Sequence, residues 1–256
     1  ARGVRRGCEA MESEIVDESC VIRSRQVTPL SIALPKGRLL QPSLDALRGI
    51  GLNCPDTDEL DRRLVYETAD GRVRFVIARP ADVPAYVEHG AADLGITGKD
   101  VLVEGDWNVC ELLDLGFGKC RMAVAVPAPA DGPDCGAATS SLGSPRLGQT
   151  LRVATKFPGI ARRYFAPRRD LCVQIIRLSG AVEIAPIVGL ADAIVDIVDT
   201  GRTLADNGLV VVEEIMQVSA RLIANRASLQ LRSAAIFPVT SALGEHRSPL
   251  CDAMAH

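Results

Sequence analysis

The residues best suited to chemistry lie in one segment at 193–204, which reads AIVDIVDTGRTL. A buried strand there ends in two spaced carboxylates, Asp196 and Asp199, and continues into Thr200-Gly201-Arg202-Thr203. Threonine hydroxyls and the backbone N–H groups around a glycine are donors of the kind that hold phosphate oxygens. Glycine also lets the backbone approach a ligand closely, and the aspartates can accept from ribose hydroxyls or help to place magnesium. The segment therefore predicts a site for a ribose 5-phosphate.

A structural interpretation of the same segment needs no ligand. A buried strand can end in an aspartate that caps the next helix, and Thr-Gly-x-Thr also occurs in tight turns. The apolar residues and the two acids that precede the turn favour the phosphate site over this alternative.

Two basic residues flank a glycine near the start of the chain. Lys36, Gly37 and Arg38 form a loop after the short apolar strand at 30–34. Ligands in open α/β sheets bind beyond the carboxyl ends of strands, so Lys36 and Arg38 are candidates for phosphate contacts. The alternative is a solvated loop that happens to be basic.

Three further charged residues follow predicted strands. Arg79 ends a buried strand and could reach a nucleotide, or it could pair structurally with Asp82 or Asp100. Lys156 lies in a loop after a strand, where it is either a phosphate contact or a surface lysine beside a helix. Glu183 lies near a predicted helix N-terminus, where a carboxylate is stabilised whatever its function.

Strands and helices alternate along the chain, and together they must position these residues. Strands are predicted at 30–34, 72–78, 93–97, 121–126, 152–154, 172–178, 193–198 and 209–214. Helices are predicted from 39 to about 48 and at 82–89, 99–104, 160–165, 181–188 and 202–207. This alternation predicts an α/β fold of parallel sheets covered by helices, in two lobes around a central cleft.

The predicted division of the chain follows from these elements. Lobe I comprises 28–118 together with 206–235, and lobe II comprises 119–205 and carries the phosphate loop. Residues 1–27 have no periodicity, and we expect a disordered extension there. The Pro-, Gly- and Ser-rich stretch at 127–150 predicts a long surface loop, and 236–256, with two prolines, predicts a loose tail.

Composition excludes several classes of protein. The 256 residues carry a net charge of −3 and only 4% aromatic residues, so neither a basic field nor stacking surfaces favour nucleic acid. The sequence has no run of about 20 apolar residues, which a membrane-spanning helix requires. The eight cysteines form no Cys-x-x-Cys pair and there are three histidines, which disfavours structural zinc. We expect reduced thiols and a cytoplasmic protein.

Motifs in the second half of the chain resemble a known family. The spacing Glu183-(five)-Gly189-x-Ala191-x-x-Ile194-x-Asp196-Ile197-x-x-Thr200-Gly201-x-Thr203-Leu204 resembles the signature of ATP phosphoribosyltransferases, which catalyse the first step of histidine biosynthesis. Five more blocks agree in family order: ALPKGRL at 33–39, RPADVP at 79–84, DLGITGKD at 93–100, ATKFP at 154–158 and SARLIANR at 219–226.

The resemblance implies a reaction, a fold and a set of residues. The family joins ATP to 5-phosphoribosyl 1-pyrophosphate (PRPP) with Mg²⁺, releasing pyrophosphate, in a fold of two lobes that resembles periplasmic binding proteins. It implies catalytic roles for Lys36, Arg38 and Lys156; ATP contacts from Lys36, Gly37, Arg38, Arg79, Asp93, Thr97 and Gly98; and PRPP contacts from Glu183, Asp196, Asp199, Thr200, Gly201, Arg202 and Thr203. No metal ligand is assigned and no general base is needed, because the adenine nitrogen is already a nucleophile.

The length of the chain after Ala235 bears on regulation. Only about 20 residues follow it, too few for an additional regulatory domain, so the chain resembles the short form of the family. Bacterial short forms work with a histidyl-tRNA-synthetase-like regulatory subunit. The resemblance therefore implies that partner, together with a homo-oligomer.

Two other functions remain open at this stage. A phosphoribosyltransferase that acts on a free base would share the acid–Thr-Gly-x-Thr loop, but not the Lys-Gly-Arg block or the spacing from Glu183. A non-enzymatic solute-binding protein would share the two lobes, but it predicts a secretory leader and has no need of a phosphate loop.

Overall fold

The structure, a computed structural model, describes residues 28–56, 63–128 and 150–246. The strands are β1 Leu30–Pro35, β2 Val65–Glu67, β3 Val73–Ala78, β4 Leu94–Gly98, β5 Cys110–Asp114, β6 Cys120–Pro127, β7 Thr150–Thr155, β8 Cys172–Arg177, β9 Ala193–Val198, β10 Leu209–Val218 and β11 Ala220–Ala224. The helices are α1 Leu40–Gly49, α2 Val83–Glu88, α3 Lys99–Glu104, α4 Pro158–Phe165, α5 Ile184–Ile187, α6 Arg202–Asp206, α7 Arg226–Leu231 and α8 Ser233–His246. The predicted extension at 1–27, nearly all of the predicted loop at 127–150 and the last ten residues lie outside the described residues.

Two sheets define two lobes, and this confirms the predicted α/β architecture. The first lobe holds a six-stranded sheet in the order β2-β3-β1-β4-β11-β5, and the second holds a five-stranded sheet in the order β10-β6-β9-β7-β8. In the first lobe β1 lies between β3 and β4 and is parallel to both. In the second lobe β7 is parallel to β8 and β9. The loops after these parallel strands therefore meet at one edge of each sheet.

Buried aliphatic residues explain why these strands are central. Ile32, Leu34, Phe75 and Ile96 are fully or almost fully buried in the first lobe. Continuous apolar runs of this kind are typical of strands that are covered on both faces. Burying one such side chain contributes about 1.5–3 kcal/mol, so the strand ends that carry the polar loops are held firmly.

The prediction of parallel sheets does not extend to the remaining strands, which are antiparallel to their neighbours. β11 lies antiparallel between β4 and β5, and β2 is antiparallel to β3 at the edge of the first sheet. β6 is antiparallel to both β9 and β10. For β6 and β11 the reason is the connectivity, since each is the first strand after the chain has crossed from one lobe to the other. β2 is antiparallel because a short turn at 68–72 joins it directly to β3.

The predicted boundary between the lobes is corrected in one place. β10 is ten residues long and pairs with β6 along its length, from Leu209 opposite Pro127 to Val218 opposite Cys120. Residues 206–218 therefore belong to the second lobe and not to the first. Ser219 alone separates β10 from β11, so the chain passes between the lobes at this residue.

The predicted loose tail is wrong for the part that the structure describes. Helix α8 continues through Pro238 to His246, and its Ile236, Val239 and Leu243 lie in the core of the first lobe. A proline inside a helix costs about 3 kcal/mol. Burial of three aliphatic side chains at about 1.5–3 kcal/mol each offsets that cost.

Within these three described ranges, no helix has both the length and the apolar character that crossing a bilayer requires.

Candidate active site

A cleft of about 650 Å³ lies between the two lobes, where the loops after the parallel strands meet. Five residues predicted from the sequence line it: Lys36, Arg38, Arg79 and Gly98 from the first lobe, and Lys156 from the second. The loops that follow β1, β3, β4 and β7 thus border this cavity.

The cations in this cleft have little protein charge to neutralise them. Lys36, Arg79 and Lys156 are exposed, and none of them forms an ion pair or a side-chain hydrogen bond with any residue that the structure describes. The alternative pairing of Arg79 with Asp82 or Asp100 is therefore not seen. Converging cations of this kind favour an anionic ligand such as a polyphosphate.

Arg38 connects the two walls of the cleft. Its Nη1 lies 3.3 Å from Oδ2 of Asp199 in the second lobe, and its Nη2 donates to Sγ of Cys120 at 3.5 Å. The hydrogen bond to Cys120 and the charge of Asp199 raise the pKa of Arg38, against the opposing effect of burial. The turn that begins at Asp199 therefore faces the gap between the lobes.

The backbone of this turn has donors to offer. Gly201 has φ +80°, in the left-handed region that favours glycine. Among the described residues, no backbone carbonyl accepts from the N–H groups of Thr200, Gly201 or Thr203. Both threonines are exposed, and Asp206, at 3.8 Å, is the one ion-pair partner of Arg202 among the residues that the structure describes. Buried Leu204 anchors the turn to the core of the second lobe.

Lys156 lies between carboxylates from both lobes. Burial raises the pKa of Asp100, in the first turn of α3, and the positive charges of Lys156 and Arg38 oppose that effect. Burial likewise raises the pKa of Asp196 on β9; the negative charge of Glu183 adds to this shift and Lys156 opposes it. Two partly buried carboxylates, one from each lobe, are therefore close enough to Lys156 to feel its positive charge, although neither forms an ion pair with it.

Oxygen ligands for a hard cation are present in the second lobe. Glu183 and Asp196 influence each other electrostatically, and Asp199 follows on the cleft side. Across residues 28–56, 63–128 and 150–246, no cluster of three or more His, Cys, Asp or Glu forms a complete metal cage. Mg²⁺ commonly binds through one or two carboxylates together with substrate phosphates, and this donor set fits that mode.

Gly98, Thr97 and Gly37 shape the cleft mainly through the backbone. A Cβ on Gly98 would lie 2.1 Å from Oδ1 of Asp100, so glycine is required for that carboxylate to fold back over the strand end. Thr97 is fully buried, and its hydroxyl donates to the carbonyl of Pro80 at 3.2 Å, which holds the loop that carries Arg79. Gly37 has φ +84°, which lets the loop turn between Lys36 and Arg38.

Asp93 is a correction to the predicted nucleotide contacts. It precedes β4, at the end opposite to Gly98, and is only 6% exposed. Its carboxylate accepts from the backbone N–H of Ser31 at 2.9 Å and from the hydroxyl of Ser228 at 2.7 Å, and it is paired with Arg232. The structure does not bring Asp93 to the cleft, because the parallel strands place its loop at the far edge of the sheet.

Other residues that line the cleft were not among the predicted site residues, and they include Asp100, Glu104 and Trp107. The block at 93–100 contains Asp100, so the sequence offered a signal for it. Glu104 and Trp107 are identified only by the fold, which turns the end of α3 toward the second lobe.

Comparison with known proteins gives a consistent family. The family model described as ATP phosphoribosyltransferase (HisG) matches residues 79–245. ATP phosphoribosyltransferase 2 of Geobacter sulfurreducens is 45% identical over 217 residues, covering 85% of this chain and 98% of that protein. The ATP phosphoribosyltransferase of Sorangium cellulosum is 47% identical over 215 residues, covering 84% of this chain and 94% of that protein.

Solved structures agree with the sequence relatives. The chain resembles a structure titled as the ATP phosphoribosyl transferase (HisG:HisZ) complex from Thermotoga maritima, with TM-score 0.68 and 31% identity, covering 86% of this chain and 98% of that one. A substrate-binding protein of an amino-acid ABC transporter matches with TM-score 0.51 at 13% identity, covering 88% and 96%, which shows a shared two-lobe fold alone. The chain belongs to the ATP phosphoribosyltransferase family, whose members transfer the phosphoribosyl group of PRPP to ATP in the first step of histidine biosynthesis.

Proposed function

We propose that the reaction takes place in the interlobe cleft, with PRPP held by the second lobe and ATP by the first. The observation that carries this proposal is the pair of complementary walls. On one side, the turn that begins at Asp199 is within ion-pair distance of Arg38 in the opposite lobe, and no described backbone carbonyl accepts from the N–H groups of Thr200, Gly201 or Thr203. On the other side, Lys36 and Arg79 line the cleft and form no ion pair with a described residue. Phosphate oxygens need donors of both kinds.

In the second lobe, the turn at 199–203 binds the 5-phosphate of PRPP through its backbone and its two threonine hydroxyls. Glu183 and Asp196 accept hydrogen bonds from the ribose hydroxyls. In the first lobe, Lys36, Arg38 and Arg79 bind the triphosphate of ATP and bring the adenine ring toward the ribose. Gly37 and Gly98 let the backbone of their loops come close to the nucleotide.

Catalysis then consists of orientation and charge stabilisation. The adenine ring nitrogen attacks the anomeric carbon with its own lone pair, the bond from that carbon to the pyrophosphate oxygen breaks, and pyrophosphate leaves. Lys156 and Arg38 stabilise the negative charge that grows on pyrophosphate, which is where preorganised charge accelerates a reaction most. The negative charges of Asp100 and Asp196, on opposite lobes, attract the ammonium group of Lys156 toward the cleft.

Mg²⁺ is the proposed cofactor. One or two of the carboxylates of Glu183, Asp196 and Asp199 would supply oxygens of the type that Mg²⁺ prefers, with the substrate phosphates completing its coordination. When bound, the ion neutralises phosphate charge at the reacting centre. All three carboxylates belong to the second lobe, opposite the lobe that we propose binds ATP.

A regulatory partner is also proposed. The structure from Thermotoga maritima is described as a complex of HisG with HisZ, and it matches this chain over most of its length. We infer that this chain likewise assembles with a histidyl-tRNA-synthetase-like subunit and forms a homo-oligomer. We place the assembly in the cytoplasm, because Cys54, Cys110, Cys120 and Cys172 are all free thiols.

The experiment that tests this proposal measures phosphoribosyl-ATP formation by the purified chain, with and without the HisZ-like subunit and with Mg²⁺ or excess EDTA. We expect product only with Mg²⁺ and more product with the partner. Activity that persists in EDTA would contradict the metal, and activity unchanged by the partner would contradict the dependence on the regulatory subunit.

A further inference from the structure

One carboxylate of the first lobe caps a helix of the second. Oε1 of Glu104, at the end of α3, accepts from the backbone N–H of Gly159 at 2.9 Å, and its Oε2 accepts from the N–H of Ile160 at 2.9 Å. Both N–H groups lie in the first turn of α4, where a helix has no internal acceptor for them. The side chain of Glu104 therefore joins the two lobes directly.

The surroundings make this a close contact. Arg163 on α4 donates to the carbonyl of Val103, and Val103 packs against the core of the second lobe. A Cβ on Gly159 would lie 2.7 Å from the backbone carbonyl oxygen of Glu104. The two helices approach so closely that only glycine fits at position 159.

The segment just before α4 is rigidly attached to it. Phe157 is buried in the core of the second lobe, and its N–H donates to Oγ1 of Thr155 at 2.8 Å. The hydroxyl of Thr155 in turn donates to the carbonyl of Val195 at 2.6 Å. Lys156 lies between these two anchored residues, so its backbone moves with the second lobe as a unit.

We propose that Glu104 is a positioning residue, which places Lys156 against the first lobe by holding the N-terminus of α4. This inference rests on the proposed role of Lys156 at the leaving pyrophosphate. The carboxylate makes no contact with substrate in this role. It fixes the distance across the cleft between Lys156 and the cations of the first lobe.

A cap with a purely structural role would stabilise α4 equally well if it came from its own lobe. Glu88 offers a control for this distinction, because it makes a similar hydrogen bond within a single lobe. Its Oε1 accepts from the backbone N–H of Asn108 at 2.9 Å, and both residues belong to the first lobe. Glu104 and Glu88 thus make the same type of hydrogen bond, but only the bonds of Glu104 cross the cleft.

The test uses the complete chain with its regulatory subunit and four variants. We expect E104A and G159A each to lower kcat about 10- to 100-fold, with little change in KM for PRPP, as displacement of a catalytic group by about 1 Å does. E104Q retains one acceptor oxygen, so its kcat should fall less than that of E104A. E88Q should stay within about twofold of the wild type, because a substitution far from the site has a small effect.

Two readouts separate positioning from stability. In a K156A background, E104A should lower kcat by less than about twofold, because its effect passes through the missing lysine. Trp107, the single tryptophan of the chain, follows α3 and donates to the carbonyl of Val101 at 3.0 Å. Its fluorescence should change in E104A and G159A.

The outcomes distinguish this inference from the function on which it rests. A wild-type assembly that forms no product overturns the proposed function and this role with it. An active wild type with E104A and G159A at wild-type kcat overturns the positioning role alone. Losses from E104A and K156A that multiply would also overturn it, because Glu104 would then act independently of Lys156.

Discussion

Arg38 and Asp199 form an ion pair across the cleft, with Nη1 and Oδ2 3.3 Å apart and the two side chains 51% and 64% exposed. A pair this exposed contributes at most about 1 kcal/mol. It is therefore too weak to hold the lobes together, and a substrate phosphate can replace Asp199 as the partner of Arg38. The contact between α3 and α4 joins the lobes through two hydrogen bonds of Glu104 and one of Arg163.

Removal of the Arg38 guanidinium should impair catalysis strongly. We expect R38A to lower kcat/KM about 100-fold, because Arg38 is placed to stabilise charge on a phosphate in the transition state. R72A is the matched control, since Arg72 is 84% exposed and, within the described part of the chain, has Asp70 as its one ion-pair partner. Steady-state kinetics with both substrates measure the effect, and an R38A enzyme within about threefold of R72A would contradict the role.

The hydroxyl of Thr203 should matter for PRPP. T203V keeps the shape of the side chain but removes a donor to a charged phosphate, which is worth about 1.5–3 kcal/mol, or roughly 10- to 100-fold in Kd. T150V is the control, because Thr150 is exposed at the opposite end of the same sheet. Calorimetric titration with PRPP measures both variants, and equal affinities would remove Thr203 from the phosphate site.

Two aspartates should give pH dependences of opposite sign. Burial raises the pKa of Asp100 above its ordinary value of 3.8, so the folded state is penalised once the pH rises through that raised pKa. The hydrogen bond from Arg152 lowers the pKa of Asp192 below 3.8, so its stabilisation is lost as the pH falls through the lowered value. Urea unfolding of the wild type, D100N and D192N at several pH values tests both signs.

D100N should therefore gain stability relative to the wild type at neutral pH, and the gain should shrink as the pH falls toward 3.8. D192N should be less stable than the wild type above pH 3.8, and that deficit should shrink only below it. A deficit of D100N that grows toward neutral pH would show that burial does not control this carboxyl group.

Helix α8 should be part of the folding core. Ile236 is fully buried, so I236A should lower the free energy of unfolding by about 2–5 kcal/mol. The neighbouring Phe237 is 60% exposed, and F237A should change it by less than about 0.5 kcal/mol. Equal effects of the two variants in chemical denaturation would contradict the packing of this helix.

The strand pattern could be predicted closely from the sequence where burial is continuous. The predicted strand at 193–198 and helix at 99–104 have the bounds that the structure gives them. β2 could not be predicted, because its three residues lie at an edge and none of them is buried. Pro238 led to the prediction of a loose tail, because the sequence shows that a proline destabilises a helix. The sequence does not show the tertiary packing of Ile236, Val239 and Leu243 that offsets this cost.

The candidate site was predicted in part. The carboxyl ends of parallel strands gave Lys36, Arg38, Arg79 and Lys156, all of which line the cleft. The same rule already argues against Asp93, which precedes its strand. The bonds from Glu104 to α4 could not be predicted, because they join residues 55 and 56 positions apart through the packing of two lobes.

The central claim is that this cleft brings a PRPP-binding turn and an ATP-binding wall together. The most direct measurement is pyrophosphate release by the chain with its regulatory subunit, supplied with PRPP and either ATP or a free base, for the wild type and for the double variant R38A/T203V. We expect release with ATP only, abolished in the double variant, whose two substitutions lie on opposite lobes. Release with free bases, or full activity of the double variant, would contradict the account.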